Sequence, residues 1–271
     1  MKFGVIITTY NSPAWLEKVL WGYENQTDPN FEVIIADDGS NDTTKLLIDT
    51  FIQRQKLNIL HVWHEDQGFR KTEILNKAIQ ATQSDYLLFT DGDCIPRSDT
   101  VETHKHLSKK GFFCSAAYFK LTMNVSELIN EEHIKSGKAF DYQWLIKNGL
   151  PKTSKALKLT AKGKRKQFYN FITPTKATWN GANSSAFKED ILSVNGFDER
   201  LQYGGLDREL GERMENKGIR GIQIRYSSIC IHLDHKRGYS TPEIWKKNKK
   251  IRDEVKSKKL TWTPFGITQQ K

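Results

Sequence analysis

Four short apolar, β-branched runs recur through residues 1–100, and each alternates with a polar cluster and a segment of helical spacing. Residues 3–10 form the first run. Asn11-Ser12-Pro13 then turns the chain, and Pro13 suits a helix start because its φ is preset. Trp15, Val19 and Tyr23 follow at helical spacing, which predicts a helix over 14–25. Residues 31–36 form the second run and Asp37-Asp38-Gly39-Ser40 a tight turn, with Ser40, Asn41 and Asp42 able to cap a helix over 43–55. Strands at 57–63 and 86–90 flank a helix predicted over 69–82. This alternation implies βαβ units and a parallel sheet covered on both faces. Ligands of such sheets bind beyond the carboxyl ends of the strands. Tyr10-Asn11, Asp37-Asp38 and Asp91-Gly92-Asp93 all fall there, which places the expected site on that rim.

The second half is less regular. Residues 151–166 are Lys-rich and lack apolar periodicity, so they are expected to form a mobile basic loop or a loosely packed helix. Helices are predicted over 188–194, over 207–217 with Gly218 as its stop, and over 242–259; a strand is predicted over 222–232. Cys94, Cys114 and Cys230 are odd in number and widely spaced, which disfavours a zinc site or a disulfide framework and suggests reduced cytosolic thiols. No signal-peptide pattern follows Met1, and no run approaches the roughly 20 apolar residues that span a bilayer. A cytoplasmic protein is expected.

The net charge of +10 is unevenly spread: residues 1–100 hold 9 Lys and Arg against 15 Asp and Glu, and residues 101–190 hold 16 against 7. A basic body fits either an anionic partner or a plain solvated face. No nucleic-acid-binding motif is recognisable, so nucleic acid is not expected as a partner. No G-x-G-x-x-G or Walker A pattern follows the first strand, which argues against dinucleotide and P-loop chemistry. Asp91 and Asp93 flank a glycine after a buried strand, and such a pair can share a hard divalent cation, Mn²⁺ or Mg²⁺, that bridges a diphosphate. Asp37 and Asp38 either accept hydrogen bonds from a ribose hydroxyl or a base N–H, or simply turn the chain.

Ile6-Ile7-Thr8-Thr9-Tyr10-Asn11, Glu32-Val33-Ile34-Ile35-Ala36-Asp37-Asp38-Gly39-Ser40 and Asp91-Gly92-Asp93 together resemble the family-2 glycosyltransferases. Trp179-Asn180-Gly181-Ala182-Asn183, Asn195-Gly196-Phe197-Asp198 and Gly204-Gly205-Leu206-Asp207 are similar to the acceptor half of bacterial chondroitin-polymerase-like and galactosyltransferase-type domains. The resemblance implies an α/β GT-A fold in one domain. Residues 1–100 would form its nucleotide-sugar half, 101–240 its acceptor half, and 241–271 a basic C-terminal helix and tail. It also implies inverting transfer from a nucleoside-diphosphate sugar, UDP preferred, to a saccharide or glycolipid hydroxyl in cell-surface polysaccharide or lipopolysaccharide synthesis.

By the same resemblance Asp207 is the general base, opening a helix whose dipole should favour its ionised form. Leu206 departs from the family's Gly-Gly-Glu-Asp pattern, which opens the alternative of a catalytically impaired sugar-binding relative. His232, with His235 as its competitor, would join Asp93 and Asp91 at the metal. Arg70, with Lys71 behind it, would meet the donor phosphates. Thr8 and Tyr10 lie where the family contacts the base, and Tyr10 either stacks on it or packs in the core. Trp179 either stacks on an acceptor sugar or anchors the core; Asn180 and Asn183 either bind sugar hydroxyls or hold a turn. Lys236 and Arg237 follow His235 and could neutralise the leaving diphosphate. Asn76 matches a family position but is read as structural. The lysines and arginine of 152–166 could reach anionic lipid or a phosphorylated acceptor, and the basic helix around Trp245 could lie on a membrane surface or form a solvated helix.

Overall fold

The computed structural model describes residues 1–235 and 241–268. Strands β1 (Phe3–Thr9), β2 (Glu32–Asp37), β3 (Asn58–Trp63) and β4 (Tyr86–Asp91) pair in parallel in the order β3-β2-β1-β4. Helices α1 (Pro13–Glu24), α2 (Asp42–Gln53) and α3 (Lys71–Ala81) connect them. Successive side chains of a strand point to opposite faces. Val5, Ile7, Val33, Ile35 and Leu88 therefore pack with Leu16, Val19, Ile48 and Phe51 of α1 and α2. Ile6, Ile34, Leu87 and Phe89 enter the other face with Ile74, Ala78 and Ile79 of α3. Each fully buried side chain of this kind contributes about 1.5–3 kcal/mol. Asn41 caps α2 by accepting from the Thr43 N–H.

Among the described residues six further strands build out the second half: β5 (Cys94–Pro96), β6 (Phe112–Ser115), β7 (Ala117–Lys120), β8 (Ser184–Phe187), β9 (Arg220–Gln223) and β10 (Ile229–His232). β8 runs antiparallel to β4 and extends the large sheet through β6 to β9. β5, β10 and β7 form a separate small sheet in which His232 pairs with Cys94. The single strand expected over 222–232 is thus two strands in two sheets. Ser227 and Ser228 both donate their N–H to the Ile224 carbonyl, and this turn carries the chain from one sheet to the other.

Within 151–166 the second expectation holds in part: a helical turn at Ser154–Ala156 and a helix at Leu157–Thr160 precede the helix Lys164–Ile172, none of which buries a residue. A buried polar network stitches the second half to β8. His104 bonds the Ser185 hydroxyl, the Asn183 side chain and the Ser228 hydroxyl, and burial depresses its pKa to about 4, so the ring is neutral.

Candidate active site

A cleft of about 520 Å³ opens at the carboxyl ends of β1 and β4, lined in part by Thr8, Tyr10, Asp38, Lys71, Asp91, Asp93 and His232. The Gly92 N–H donates to the Thr8 carbonyl at 2.7 Å, and a Cβ at Gly92 would meet that oxygen at 2.8 Å. Only glycine lets the chain turn this tightly between Asp91 and Asp93. Lys71, the first residue of α3, reaches Asp91 Oδ1 at 2.5 Å, and the Thr8 hydroxyl donates to the same oxygen at 3.0 Å. Burial disfavours the Asp91 carboxylate, but the Lys71 ammonium outweighs it and holds the pKa below the ordinary range. Tyr10 is half exposed and donates its hydroxyl to Asp66, leaving its ring open to the cleft.

Asp93 faces two imidazoles. His232 Nε2 lies 4.0 Å from one carboxylate oxygen and His235 Nε2 3.2 Å from the other, and the two rings stack 5.5 Å apart. His232 Nδ1 lies 2.7 Å from the Leu233 carbonyl; a carbonyl only accepts, so Nδ1 carries a proton and Nε2 is the ring nitrogen on the Asp93 side. Ligands about 2.1 Å from one octahedral ion are roughly 3 to 4.2 Å apart, so both separations suit Mn²⁺ or Mg²⁺. Cys94 lies with Asp93 and His232 in this group, and burial, then the neighbouring Cys230, push its thiol well above its usual range in the metal-free protein.

Asp207 lies within electrostatic reach of Lys71 and Asp91, though it is not among the side chains that line the cleft. Its Oδ1 is sealed from solvent with no hydrogen-bond partner, and a Cβ at Gly181 would strike that atom at 2.7 Å. Burial raises its pKa to about 6, with Lys71 opposing and Asp91 reinforcing the shift. The expectation that the helix dipole would lower this pKa is therefore corrected: desolvation is the larger effect.

Several expected contacts are replaced by structural ones. Asp37 is fully buried and accepts from the Ser40 N–H and from His61, so it closes the turn instead of meeting a nucleotide. Asp38 lines the cleft, with its oxygens held by His64 and the Arg70 N–H. The Arg70 guanidinium turns away to Glu73 and the Glu65 carbonyl, and among the described residues Lys71 is the Lys or Arg that lines the cleft. Trp179 is fully buried against Phe89 and Phe113, which removes it from sugar stacking. Asn183 spends its amide on the Ala117 carbonyl and His104, and Asn180 binds the Ala116 carbonyl and the Asn183 N–H; both hold the turn beneath Asp207. Leu206 is a core side chain, so this position presents no group to an acceptor. Asn76 is structural as expected, bridging α3 to Phe197 and Glu199. Lys236 and Arg237 lie outside the described residues.

A family model described as "Glycosyl transferase family 2" matches residues 4–148, more than half of the chain. The chain belongs to this family. It is 28% identical over 268 residues to the uncharacterized glycosyltransferase YfnE of Bacillus subtilis, covering 87% of this chain and 65% of that protein. The fold is GT-A. The mannosyltransferase PcManGT from Pyrobaculum calidifontis, solved with GDP-Man and Mn²⁺, superposes with a TM-score of 0.58 at 19% identity over 88% of this chain and 58% of that one. TarS 1–349 of Staphylococcus aureus, solved with UDP-GlcNAc, gives 0.62 at 17% identity over 96% of this chain and 69% of that one.

In this family-2 glycosyltransferase the chief residue ranked too low from sequence is Lys71. The signal was its place as the first residue of a helix whose N-terminus faces the strand ending at Asp91. Tyr203, which also lines the cleft, had no signal beyond its nearness to Gly204-Gly205.

Proposed function

We propose that this family-2 glycosyltransferase moves a sugar from a UDP-sugar to a saccharide or glycolipid hydroxyl, with inversion and with a divalent cation. One observation carries the reading: a metal-competent Asp93–His232 pair and the half-buried carboxylate of Asp207, whose Oδ1 has no hydrogen-bond partner, lie near the same Lys71–Asp91 ion pair. Asp207 takes the proton from the attacking hydroxyl; a pKa near 6 keeps it ionised at neutral pH yet basic enough to accept. Lys71 holds Asp91 in place and adds positive charge beside the donor phosphates. Tyr10 offers its open ring to the base. Asp93 and His232 would hold Mn²⁺ or Mg²⁺, which when bound offsets the charge that develops on the departing diphosphate. Attack from the Asp207 side, opposite that charge, gives a single displacement and inversion.

The test is a panel of nucleotide-sugars assayed for transfer and hydrolysis, with Mn²⁺, with Mg²⁺ and with EDTA, on the wild type and on Asp207→Asn. Consumption of a UDP-sugar that needs a divalent ion and collapses in Asp207→Asn is expected. Metal-independent turnover, or full activity in Asp207→Asn, overturns the mechanism. Preference for a GDP-sugar corrects the donor alone.

A further inference from the structure

The helix Lys164–Ile172 is turned inside out. Its inward stripe is polar. Lys166 Nζ lies 3.3 Å from Asp99, Asn170 donates to the Ser227 hydroxyl at 2.8 Å and accepts from the Tyr226 N–H at 2.9 Å, and Tyr169 packs on the Tyr226 ring. Its outward stripe is apolar, with Phe168 58%, Phe171 88% and Ile172 52% exposed. These three sit at i, i+3 and i+4, so they form one continuous face. A helix of a soluble domain buries its apolar stripe against the core. This one is anchored to the body by polar bonds and leaves large hydrophobic groups facing water, with Leu157 of the preceding helix also 39% exposed.

Charge identifies what covers that face. Residues 142–188 hold ten Lys and Arg and no Asp or Glu. Lys162, Lys164 and Arg165 are exposed beside the apolar stripe. A second copy of the chain would set the same positive charge against itself. A nucleic acid could stack bases on Phe168 and Phe171, but it would gain nothing from the exposed aliphatic Ile172 and Leu157. An anionic bilayer meets both features, since apolar side chains enter the headgroup boundary while basic ones pair with lipid phosphates.

We propose that the helix Lys164–Ile172 docks the protein on anionic phospholipid, with Phe168, Phe171 and Ile172 inserted and Lys162, Lys164 and Arg165 on the headgroups. The proposal is independent of the donor and of the catalytic residues.

The full chain is sedimented with vesicles of equal phosphatidylglycerol and phosphatidylcholine, and with phosphatidylcholine alone, at low salt and at about 0.5 M salt. Partition into the anionic vesicles that weakens with salt is expected. Each basic side chain near an anionic surface strengthens binding about fivefold, so K162Q/K164Q/R165Q should lose about a hundredfold in partition. The variant F168S/F171S/I172S should lose at least about tenfold. All six side chains are exposed, so unchanged far-UV circular dichroism and melting temperature verify that both variants fold. No partition of the wild type into anionic vesicles overturns the proposal. So does equal partition of the serine variant, or RNA binding that the serine variant abolishes while its vesicle partition stays intact.

Discussion

Asp207 begins a helix, where the backbone dipole favours a carboxylate, yet burial raises its pKa to about 6. Two outcomes follow for this residue. Transfer should rise with pH through about 6 and level off above it, and Asp207→Asn should lower kcat by a factor of about 10²–10⁴ in a pH–rate series. Stability should move the other way. In the metal-free protein the folded state holds this proton more tightly than the unfolded chain does. The residue is therefore least costly below the unfolded pKa, and stability falls as pH rises through about 6. Asp207→Asn should stabilise the fold in EDTA at pH 8, by at most about 3 kcal/mol, and leave it unchanged at pH 3.5. Urea melts at both pH values measure this. Trp179 makes the opposite case. Nothing in Trp179-Asn180-Gly181 distinguishes a stacking platform from a core anchor, because the distinction lies in what Phe89 and Phe113 do from distant strands. Trp179→Ala should cost about 3–5 kcal/mol in a denaturant melt, and Trp179→Phe much less, with the donor KM of the folded Phe variant unchanged.

The helix Leu206–Asn216 aims Asp207, and a buried ion pair fixes that helix. Arg213 and Glu209 are both fully buried; the Arg213 guanidinium donates to Glu209 at 2.6 and 2.8 Å and also to the Val194 and Gly196 carbonyls. Arg213→Met strands a buried carboxylate and two carbonyls, and such losses cost about 3–5 kcal/mol. It should lower the melting temperature sharply, whereas R213M/E209Q should recover part of the loss; calorimetry of both decides it. The i, i+4 spacing of Glu209 and Arg213 does not reveal from sequence whether the pair faces water or core. The first four strands and three helices were legible because each carries its own apolar period. β5, β6 and β7 were not: they are three or four residues long, and their pairing is set by β10, β8 and β9 from far along the chain. The same dependence hid the division of 222–232, since one apolar pattern serves a strand of either sheet.

At the scale of the whole molecule the candidate metal site joins parts that are far apart in the chain. Asp93 follows β4 of the large sheet, while His232 ends β10 of the small one, and the Leu233 N–H donates to the Asp93 carbonyl at 2.9 Å to hold the two loops together. The position of Asp93 at the sheet's rim was readable from βαβ order alone, but the approach of His232 required the small sheet. A ligand that bridges both loops should therefore stabilise the molecule as a unit. Binding to the folded state alone adds RT ln(1 + [L]/Kd), about 2.7 kcal/mol at a hundredfold excess over Kd. Mn²⁺ with UDP should raise the melting temperature by several degrees, and by more than the sum of either alone, because the diphosphate supplies oxygens that the protein does not. Asp93→Asn should abolish the synergy while leaving the melting temperature of the metal-free protein nearly unchanged or higher, since burial already disfavours the Asp93 carboxylate. Asp207→Asn should keep the synergy in full, because a base that only accepts the acceptor's proton contributes nothing to holding the ion. A thermal-shift series over the three proteins separates a metal built into donor binding from one that merely decorates the surface: in the second case Asp93→Asn and wild type respond alike.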